Sequence, residues 1–262
     1  MTLPELQQQM LAYTLLLPRI MSCFVIFPVL SKQMLGGGLI RNGVACSLAL
    51  YAYPTVADNP LPTLGSLELT LLLGKEVLLG LLIGFIASIP FWAMEATGFI
   101  IDNQRGATMA SVLNPSLGSQ TSPTGLLLTQ TLITLFFSGG AFLSLLGALF
   151  QSYNSWPVTQ FFPNITNQWL HFFYGQFSYL LQLCALMAAP LLIAMFLAEF
   201  GLALISRFAP SLNVFVLAMP IKSAIASLLL VIYIQLLMHH AYDKVLLILS
   251  PVRMLIPILE AP

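Results

Sequence analysis

Long apolar runs are the feature that most constrains how this chain can fold. A helix needs roughly 20 residues to cross about 30 Å of hydrocarbon. No alternating strand pattern is present, and lipid leaves no backbone amide unpaired, so helices must form these runs. The sequence therefore predicts an all-α integral membrane protein with about six long hydrophobic helices. The runs are 10–30, 39–57, 69–101, 124–150, 174–206 and 211–238.

The composition excludes several classes of protein. Of the 262 residues, 58% are hydrophobic and 7% are charged, as is typical of integral membrane proteins. Nine Lys and Arg balance nine Asp and Glu, so no excess of positive charge is present to attract nucleic acid, and no nucleic-acid partner is expected. The three cysteines lie alone in apolar runs without metal-site spacing, and are expected to be small buried residues. They are Cys23, Cys46 and Cys184.

The distribution of Lys and Arg gives contradictory predictions for the topology. Neither residue occurs in 1–9, 54–68 or 151–173. The positive-inside rule therefore places the N-terminus outside. Six spans then also place the C-terminus outside, whereas Lys244 and Arg253 favour the inside.

A seventh apolar run, 245–259, bears on this contradiction. It contains Pro251, Arg253 and Pro257, and it is expected to be too short to span, lying instead at an interface or inside an assembly. Either this run crosses after all, or some segments are hairpins that do not span a bilayer in the ordinary way.

Prolines and glycines interrupt the apolar runs. Proline inside a helix removes a hydrogen bond and favours a bend, so the long helices are predicted to be kinked. The prolines concerned are Pro18, Pro28, Pro90, Pro190, Pro210 and Pro220. The motif GLLIG, from Gly80 to Gly84, has the spacing of a close helix contact. The glycines at 36–38 and 139–140 are predicted to be turn or close-approach positions, since no phosphate-binding motif follows them.

Several charged residues lie inside the apolar runs, among them Arg19, Lys75, Glu76, Glu95, Glu199 and Lys222. A charge at depth is costly unless it is paired or hydrated. One interpretation is that these charges reach the headgroups or form local pairs, such as Lys75 with a carboxylate on its own helix. The other is that, as a set, they are buried against protein or around a water-filled path. The helix face that carries Glu95 and Asp102 should partly meet protein or water.

Motifs of enzymes are absent from the sequence. His171 stands alone, His239 and His240 have no HExxH context, and there is no GxSxG turn or acid/base carboxylate pair. A membrane enzyme therefore has no motif in its favour. No catalytic residue, cofactor or metal is predicted.

Two segments resemble a known family. They are PFWAMEATGFIIDNQRGATMASVLNPSLGSQTSPTG, at 90–125, and PLLIAMFLAEFGLALISRFAPSLNVFVLAMPIKS, at 190–223. Both look like the signature regions of the T subunit of type III secretion export apparatuses, which is related to the flagellar R subunit. The pattern includes Gly98, Asp102, Gln104, Gly106, Met109 and Asn114-Pro115, then Arg207 to Pro210, Leu212 to Phe215 and Lys222. The N-terminal pattern of Pro18-Arg19, Pro28, Arg41-Asn42 and Pro54 also fits.

The resemblance implies a place in a protein-export gate of the bacterial inner membrane, with five R-type and four S-type subunits around one T subunit. Unfolded secreted proteins would cross this gate, and the U and V subunits of the export apparatus would also be partners. The fold would join an R-like portion, about 1–174, to an S-like helical hairpin and tail, about 175–262. Much of such a complex is held above the plane of the membrane, toward the periplasm, so apolar segments need not span it.

The resemblance also assigns a plug loop, 105–123, that helps close the channel. Its glycines and prolines break regular structure, while its hydroxyls and amides offer hydrogen bonds that water can replace; without the resemblance, an ordinary connection is the expectation. The plug residues singled out are Arg105, Gly106, Met109, Asn114, Pro115, Gly118, Gln120 and Pro123. The charges expected to be buried for assembly or at the pore are Glu95, Asp102, Glu199, Arg207 and Lys222.

An ion-coupled secondary transporter is the alternative function. Its buried Glu95, Asp102, Glu199 and Lys222 would bind an ion or small solute. Internal repeats with matching broken helices would be its mark, and no convincing repeat relates the two halves.

Overall fold

The computed structural model describes residues 3–30, 36–54, 65–107, 122–159, 168–208 and 214–260. These residues form seven α-helices and one short 3-10 helix, and none of them is in a strand, which confirms the predicted all-α fold. The α-helices are α1 (Leu3–Ile26), α2 (Gly38–Ala52), α3 (Ser66–Gln104), α4 (Pro123–Ser138), α5 (Ala141–Ser155), α6 (Gln168–Phe208) and α7 (Val214–Glu260), and the 3-10 helix is Pro28–Leu30.

Within the described residues, four helices are long and apolar enough to cross a membrane: α1, α3, α6 and α7. The run at 124–150 is a bent pair, because α4 and α5 meet at 73°. Gly140, with φ +76°, makes this turn possible, which confirms the predicted role of the glycines there. If the pair counts as one span, the described residues contain five candidate spans.

The fifteen residues of α2 are fewer than the roughly 20 that a span needs.

Helix α7 is longer than the apolar run from which it was predicted. It runs without a break through both the sixth and the seventh apolar runs, so the seventh run continues a longer helix. Its place at an interface or inside an assembly stays a prediction. The polar residues between the runs lower the hydropathy but include no Gly or Pro to end a helix, and His239 pairs with Asp243 one turn later at 3.6 Å.

Prolines lie within the long helices without ending them. Pro18, Pro90 and Pro190 lie inside α1, α3 and α6. Pro28 begins the 3-10 helix that follows α1. Pro210 is outside the described residues.

The chain forms two compact units that alternate along the sequence. The first comprises Met1–Ile89, Phe137–Gln176 and Val245–Pro262, and the second comprises Pro90–Phe136 and Phe177–Lys244. The division into an R-like portion and an S-like hairpin near residue 175 stays a prediction.

Close helix contacts hold the first unit together. A Cβ atom on Gly80 would overlap the Ser22 hydroxyl and the Arg19 carbonyl of α1, and one on Gly84 would lie 2.7 Å from the Cys23 carbonyl oxygen. The helix contact predicted from GLLIG is therefore confirmed.

The second unit has an apolar core between α3, α6 and α7. Ile101 packs there with Leu191, Met195 and Ala226. The rings of Phe91 and Phe136 meet edge to face, with centroids 5.5 Å apart, and join α3 to α4.

Candidate functional site

The predicted plug loop is described only at its two ends. Arg105 and Gly106 follow α3, and Pro123 begins α4. Five of the predicted plug residues lie outside the described residues: Met109, Asn114, Pro115, Gly118 and Gln120.

A buried carboxylate joins these two ends. Asp102 is 1% exposed, and its Oδ2 accepts hydrogen bonds from the Ser122 hydroxyl at 2.6 Å and the Thr124 backbone amide at 3.0 Å. Its Oδ1 accepts from the Thr124 hydroxyl at 2.6 Å and pairs with Arg105 Nη2 at 2.6 Å. We call these four residues the loop base. Both carboxylate oxygens are occupied, so the charge of Asp102 is compensated within the protein.

Local sequence explains why the loop base forms. Gly106 adopts φ +83°, a left-handed conformation that ends α3, and its amide donates to the Asn103 carbonyl at 3.1 Å. Ser122 caps α4, since its hydroxyl accepts from the Gly125 amide at 2.9 Å, and Pro123 fits the first helical position. The N-terminus of α4 also favours the negative charge of Asp102.

Two glycines bring the backbones of α3 and α4 together beneath the loop base. A Cβ atom on Gly98 would overlap the backbone of Gly125, and one on Gly125 would lie 2.8 Å from the Glu95 carbonyl oxygen. The space between the helices is thus too small for any side chain at these positions.

The end of α3 has two further features, a buried nitrogen atom of Arg105 and a contact between Gly106 and α7. The Nε atom of Arg105 is buried and has no hydrogen-bond partner within the described part of the chain. A Cβ atom on Gly106 would lie 3.2 Å from Cγ of Met219, so the first turns of α7 lie against the turn that ends α3.

Glu199 and Lys222 form an ion pair between α6 and α7. Lys222 Nζ lies 3.1 Å from Glu199 Oε2. The lysine side chain is 11% exposed and the glutamate side chain 44%, so the pair lies at the margin of the second unit. Glu199 lies one helical turn after the core residue Met195 of α6, and Lys222 lies one turn before the core residue Ala226 of α7.

The other two predicted charges are exposed on the single chain. Glu95 lies on the exposed face of α3, and Arg207 in the last turn of α6 is also exposed. Their burial in an assembly stays a prediction.

A second charged cluster was not assigned from the sequence, although its members stood out as charges in apolar runs. Arg19 on α1 forms a two-pronged ion pair with Glu76 on α3, with Nε–Oε2 at 2.6 Å and Nη2–Oε1 at 2.9 Å. Both side chains are fully buried. Lys75 Nζ also pairs with Glu76, at 2.9 Å, as predicted for a carboxylate on its own helix. We call Arg19, Lys75 and Glu76 the charge network.

The end of α5 completes the hydrogen bonding of the charge network. Arg19 donates to the Ser152 hydroxyl and the Trp156 carbonyl, both at 3.1 Å. Its guanidinium lies 4.2 Å from the centre of the Tyr153 ring. Lys75 donates to the carbonyls of Pro157 and Val158, both at 3.1 Å. Arginine and glutamate in separate apolar runs were a usable signal, but the sequence alone does not bring them together.

Neither cluster resembles a metal centre. Among the described residues, no group of three or more His, Cys, Asp or Glu side chains could hold a metal ion.

Comparison with known proteins agrees with the resemblance seen in the two signature segments. The profile of the family described as "Bacterial export proteins, family 1" matches residues 10–247. The chain is 70% identical over 255 residues to "Yop proteins translocation protein T" of Yersinia pestis, covering 97% of this chain and 98% of that protein. It is 34% identical over 248 residues to "Secretion system apparatus protein SsaT" of Salmonella typhimurium, covering 90% and 92% of the two chains.

A flagellar relative extends the comparison. The chain is 31% identical over 223 residues to "Flagellar biosynthetic protein FliR" of Bacillus subtilis, covering 84% of this chain and 85% of that one. The predicted relationship between the secretion and flagellar proteins is thereby confirmed, and the chain belongs to family 1 of the bacterial export proteins.

Proposed function

We propose that this protein is a non-enzymatic structural and gating subunit of a type III secretion export gate. With R-type and S-type subunits it forms a channel of the bacterial inner membrane, projecting toward the periplasm, through which unfolded proteins are exported. The similarity to Yop proteins translocation protein T supports this place in the apparatus because it extends over 97% of the chain. Partnership with the U and V subunits belongs to the same proposal.

One observation supports the gating role: Asp102 joins the two ends of the loop by hydrogen bonds. A segment that blocks a channel must keep its ends fixed while its middle moves when a polypeptide arrives. Asp102 fastens Ser122 and Thr124 to the end of α3 through three hydrogen bonds. Fixed ends and a polar middle suit a plug at 105–123 better than a connection of no further function.

The hairpin of α6 and α7 suits contacts with other subunits. Only 33% of the apolar span in α6 and 17% of that in α7 is buried within the chain. Large apolar side chains such as Phe196 and Val231 are 60% and 77% exposed. Much of this surface is therefore available for S-type and R-type partners.

One of the residues named for a secondary transporter, Asp102, argues against that alternative. Asp102 already accepts three hydrogen bonds and an ion pair, so it offers no open oxygen to a transported ion. Of the other residues named, Glu199 and Lys222 pair with each other, and Glu95 is exposed.

Isolation of the complete complex tests the proposal. The protein is to be tagged and extracted from bacterial membranes that contain all the export-apparatus subunits, and its partners identified by mass spectrometry. We expect stable R-type and S-type partners. Recovery of the chain only as an independent, transport-active protein would contradict the proposal.

Shortening the segment 106–122 tests the gating role separately. In an assembled complex inserted into planar bilayers, the shortened variant should conduct ions more readily than the wild type. Unchanged conductance in a fully assembled complex would rule out the plug while leaving the structural role intact.

A further inference from the structure

The turn that ends α3 is closed by its own backbone and by the loop base. Gly106 adopts φ +83°, and the amides of Gly106 and Ala107 donate to the carbonyls of Asn103 and Asp102 at 3.1 and 3.0 Å. These two hydrogen bonds form a Schellman motif, a common end of a helix that closes with glycine. Asp102 therefore holds the chain twice, through its carbonyl oxygen at Ala107 and through its carboxylate at the start of α4.

A side chain of the distant helix α7 lies against this turn. A Cβ atom on Gly106 would lie 3.2 Å from Cγ, 3.5 Å from Sδ and 3.8 Å from Cε of Met219. The thioether side chain thus covers the turn where Gly106 has no side chain of its own. Glycine at this position has two consequences: it permits the left-handed conformation, and it leaves room for Met219.

The packing of α7 against its neighbours sets the position of Met219. Lys222, one turn further along the same face of α7, pairs with Glu199 of α6 at 3.1 Å. Ala226, another turn along, packs in the apolar core with Ile101 of α3. The three α7 residues form one stripe, so a shift of α7 relative to α3 would carry Met219 away from the turn.

We propose that Met219 is a positioning residue for the loop base. It transmits the placement of α6 and α7 to the turn that ends α3, and the hydrogen bonds of the loop base persist only while the first turns of α7 lie against that turn. Methionine suits this role because its flexible, polarisable side chain keeps contact with a backbone that moves slightly. The inference rests on the proposed function, because the loop base matters for gating only if the loop closes the channel.

Amide hydrogen exchange tests the contact itself, in the full-length protein purified from membranes with whatever subunits accompany it. Met219→Ala should speed exchange of the Gly106 and Ala107 amides by roughly fivefold, the change expected when about half of a buried methionine side chain is lost. Met219→Leu keeps most of the apolar volume and should exchange as the wild type does. Mass spectrometry of peptides that span 103–107 measures the rates.

Leu217→Ala is the matched control for this experiment. Leu217 lies in the same turn of α7, is 43% exposed, and points to another side of the helix, so its truncation should leave the exchange unchanged. Wild-type exchange in Met219→Ala, or an equal rise in Leu217→Ala, would overturn the inference.

Ion conductance in planar bilayers tests the consequence for gating. Assembled Met219→Ala complexes should conduct several-fold more than the wild type, and Met219→Ala combined with Asp102→Asn should add less than the two separate effects, since both loosen the same base. A purely structural role of Met219 would instead lower the amount of complex and leave the conductance of each assembled complex unchanged. That second result would overturn the inference.

The variant shortened at 106–122 separates the two possible failures. If shortening raises the conductance but Met219→Ala does not, Met219 has been misassigned and the proposed function stands. If shortening leaves the conductance unchanged, the gating role fails, and the hydrogen-exchange comparison alone decides whether Met219 positions the loop base.

Discussion

Asp102, at the end of α3, accepts hydrogen bonds from both the hydroxyl and the backbone amide of Thr124, in the first turn of α4. One buried carboxylate thus joins the end of α3 to the first turn of α4, across a sequence separation of 22 residues. Arg105 balances its charge from the other side at 2.6 Å. Tension on the intervening segment would therefore have to break charge-assisted hydrogen bonds before the two helices could separate.

Asp102→Asn should loosen the loop base, on which the proposed gating role depends. The amide is nearly the same size, but it carries no charge to pair with Arg105 and replaces one acceptor with a donor that faces Ser122 or Thr124. Hydrogen bonds to charged groups contribute about 1.5 to 3 kcal/mol each, so we expect a large rise in the ion conductance of the assembled gate in planar bilayers.

The neighbouring Asn103 provides the control for this variant. Its side chain is exposed, so Asn103→Ala should conduct as the wild type does. Wild-type conductance from an assembled Asp102→Asn complex would show that the loop base does not hold the channel closed.

Substitutions in the charge network should impair folding rather than gating. Arg19→Met should destabilise the protein by about 3 to 5 kcal/mol, because removing one partner leaves the buried charge of Glu76 undercompensated. The triple variant Arg19→Met, Lys75→Met and Glu76→Leu should recover part of that loss, since apolar residues can replace a whole buried ionic cluster, Lys75 included. Thermal unfolding of the purified protein in detergent measures both.

Arg41 on α2 serves as the comparison, because its only described hydrogen bond is a long one, 3.4 Å, to the neighbouring Asn42. Arg41→Met should change the unfolding temperature little. If Arg19→Met were no more destabilising than Arg41→Met, the charge network would not contribute to the fold.

The sequence predicts the helices better than their ends and partners. Hydropathy alone located α1, α3 and α6, because each has an apolar surface long enough to raise the mean hydropathy over a window of about 20 residues. It separated α7 into two runs, since hydropathy falls at His239 and Asp243 although both residues continue a helix. The GLLIG spacing predicted a contact because glycine lets the backbone of any neighbouring helix approach closely.

The candidate site was predictable only in part, for a reason that Asp102 and Arg19 illustrate. The start of α4 could have been anticipated from Ser122 and Pro123, which have the residue types of a helix cap and a first helical position, but their contact with Asp102 spans 20 residues or more. Arg19 meets Glu76 across 57 residues and Ser152 across 133. Such pairing depends on how helices pack, which hydropathy and periodicity do not encode.

A charge exchange should reveal whether Glu199 and Lys222 act as a pair. Glu199→Lys places two cations together, and Lys222→Glu places two carboxylates together, so each single variant should reduce secretion or complex assembly. The double variant restores an ion pair between α6 and α7 at the same positions, 3.1 Å apart in the wild type. Secretion by intact cells and recovery of the complex measure the effect. A double variant as defective as either single one would show that the charges act separately.

Two glycines of α3 should respond in opposite ways to the same substitution. Gly98→Ala places a methyl group against the backbone of Gly125, which cannot move aside as a flexible side chain could. Overpacking of this kind typically costs about 1 to 3 kcal/mol. Gly74 lies on the same helix and has no atom within 4 Å of an added Cβ, so Gly74→Ala gains helix propensity and should stabilise by about 0.5 to 1 kcal/mol. Unfolding of the two variants in detergent provides the comparison, because host helix and substitution are identical and only the packing differs. If both variants were stabilised, α3 and α4 would not be in close contact beneath the loop base, and the carboxylate of Asp102 would then have to hold the ends of the two helices together without support from their packing.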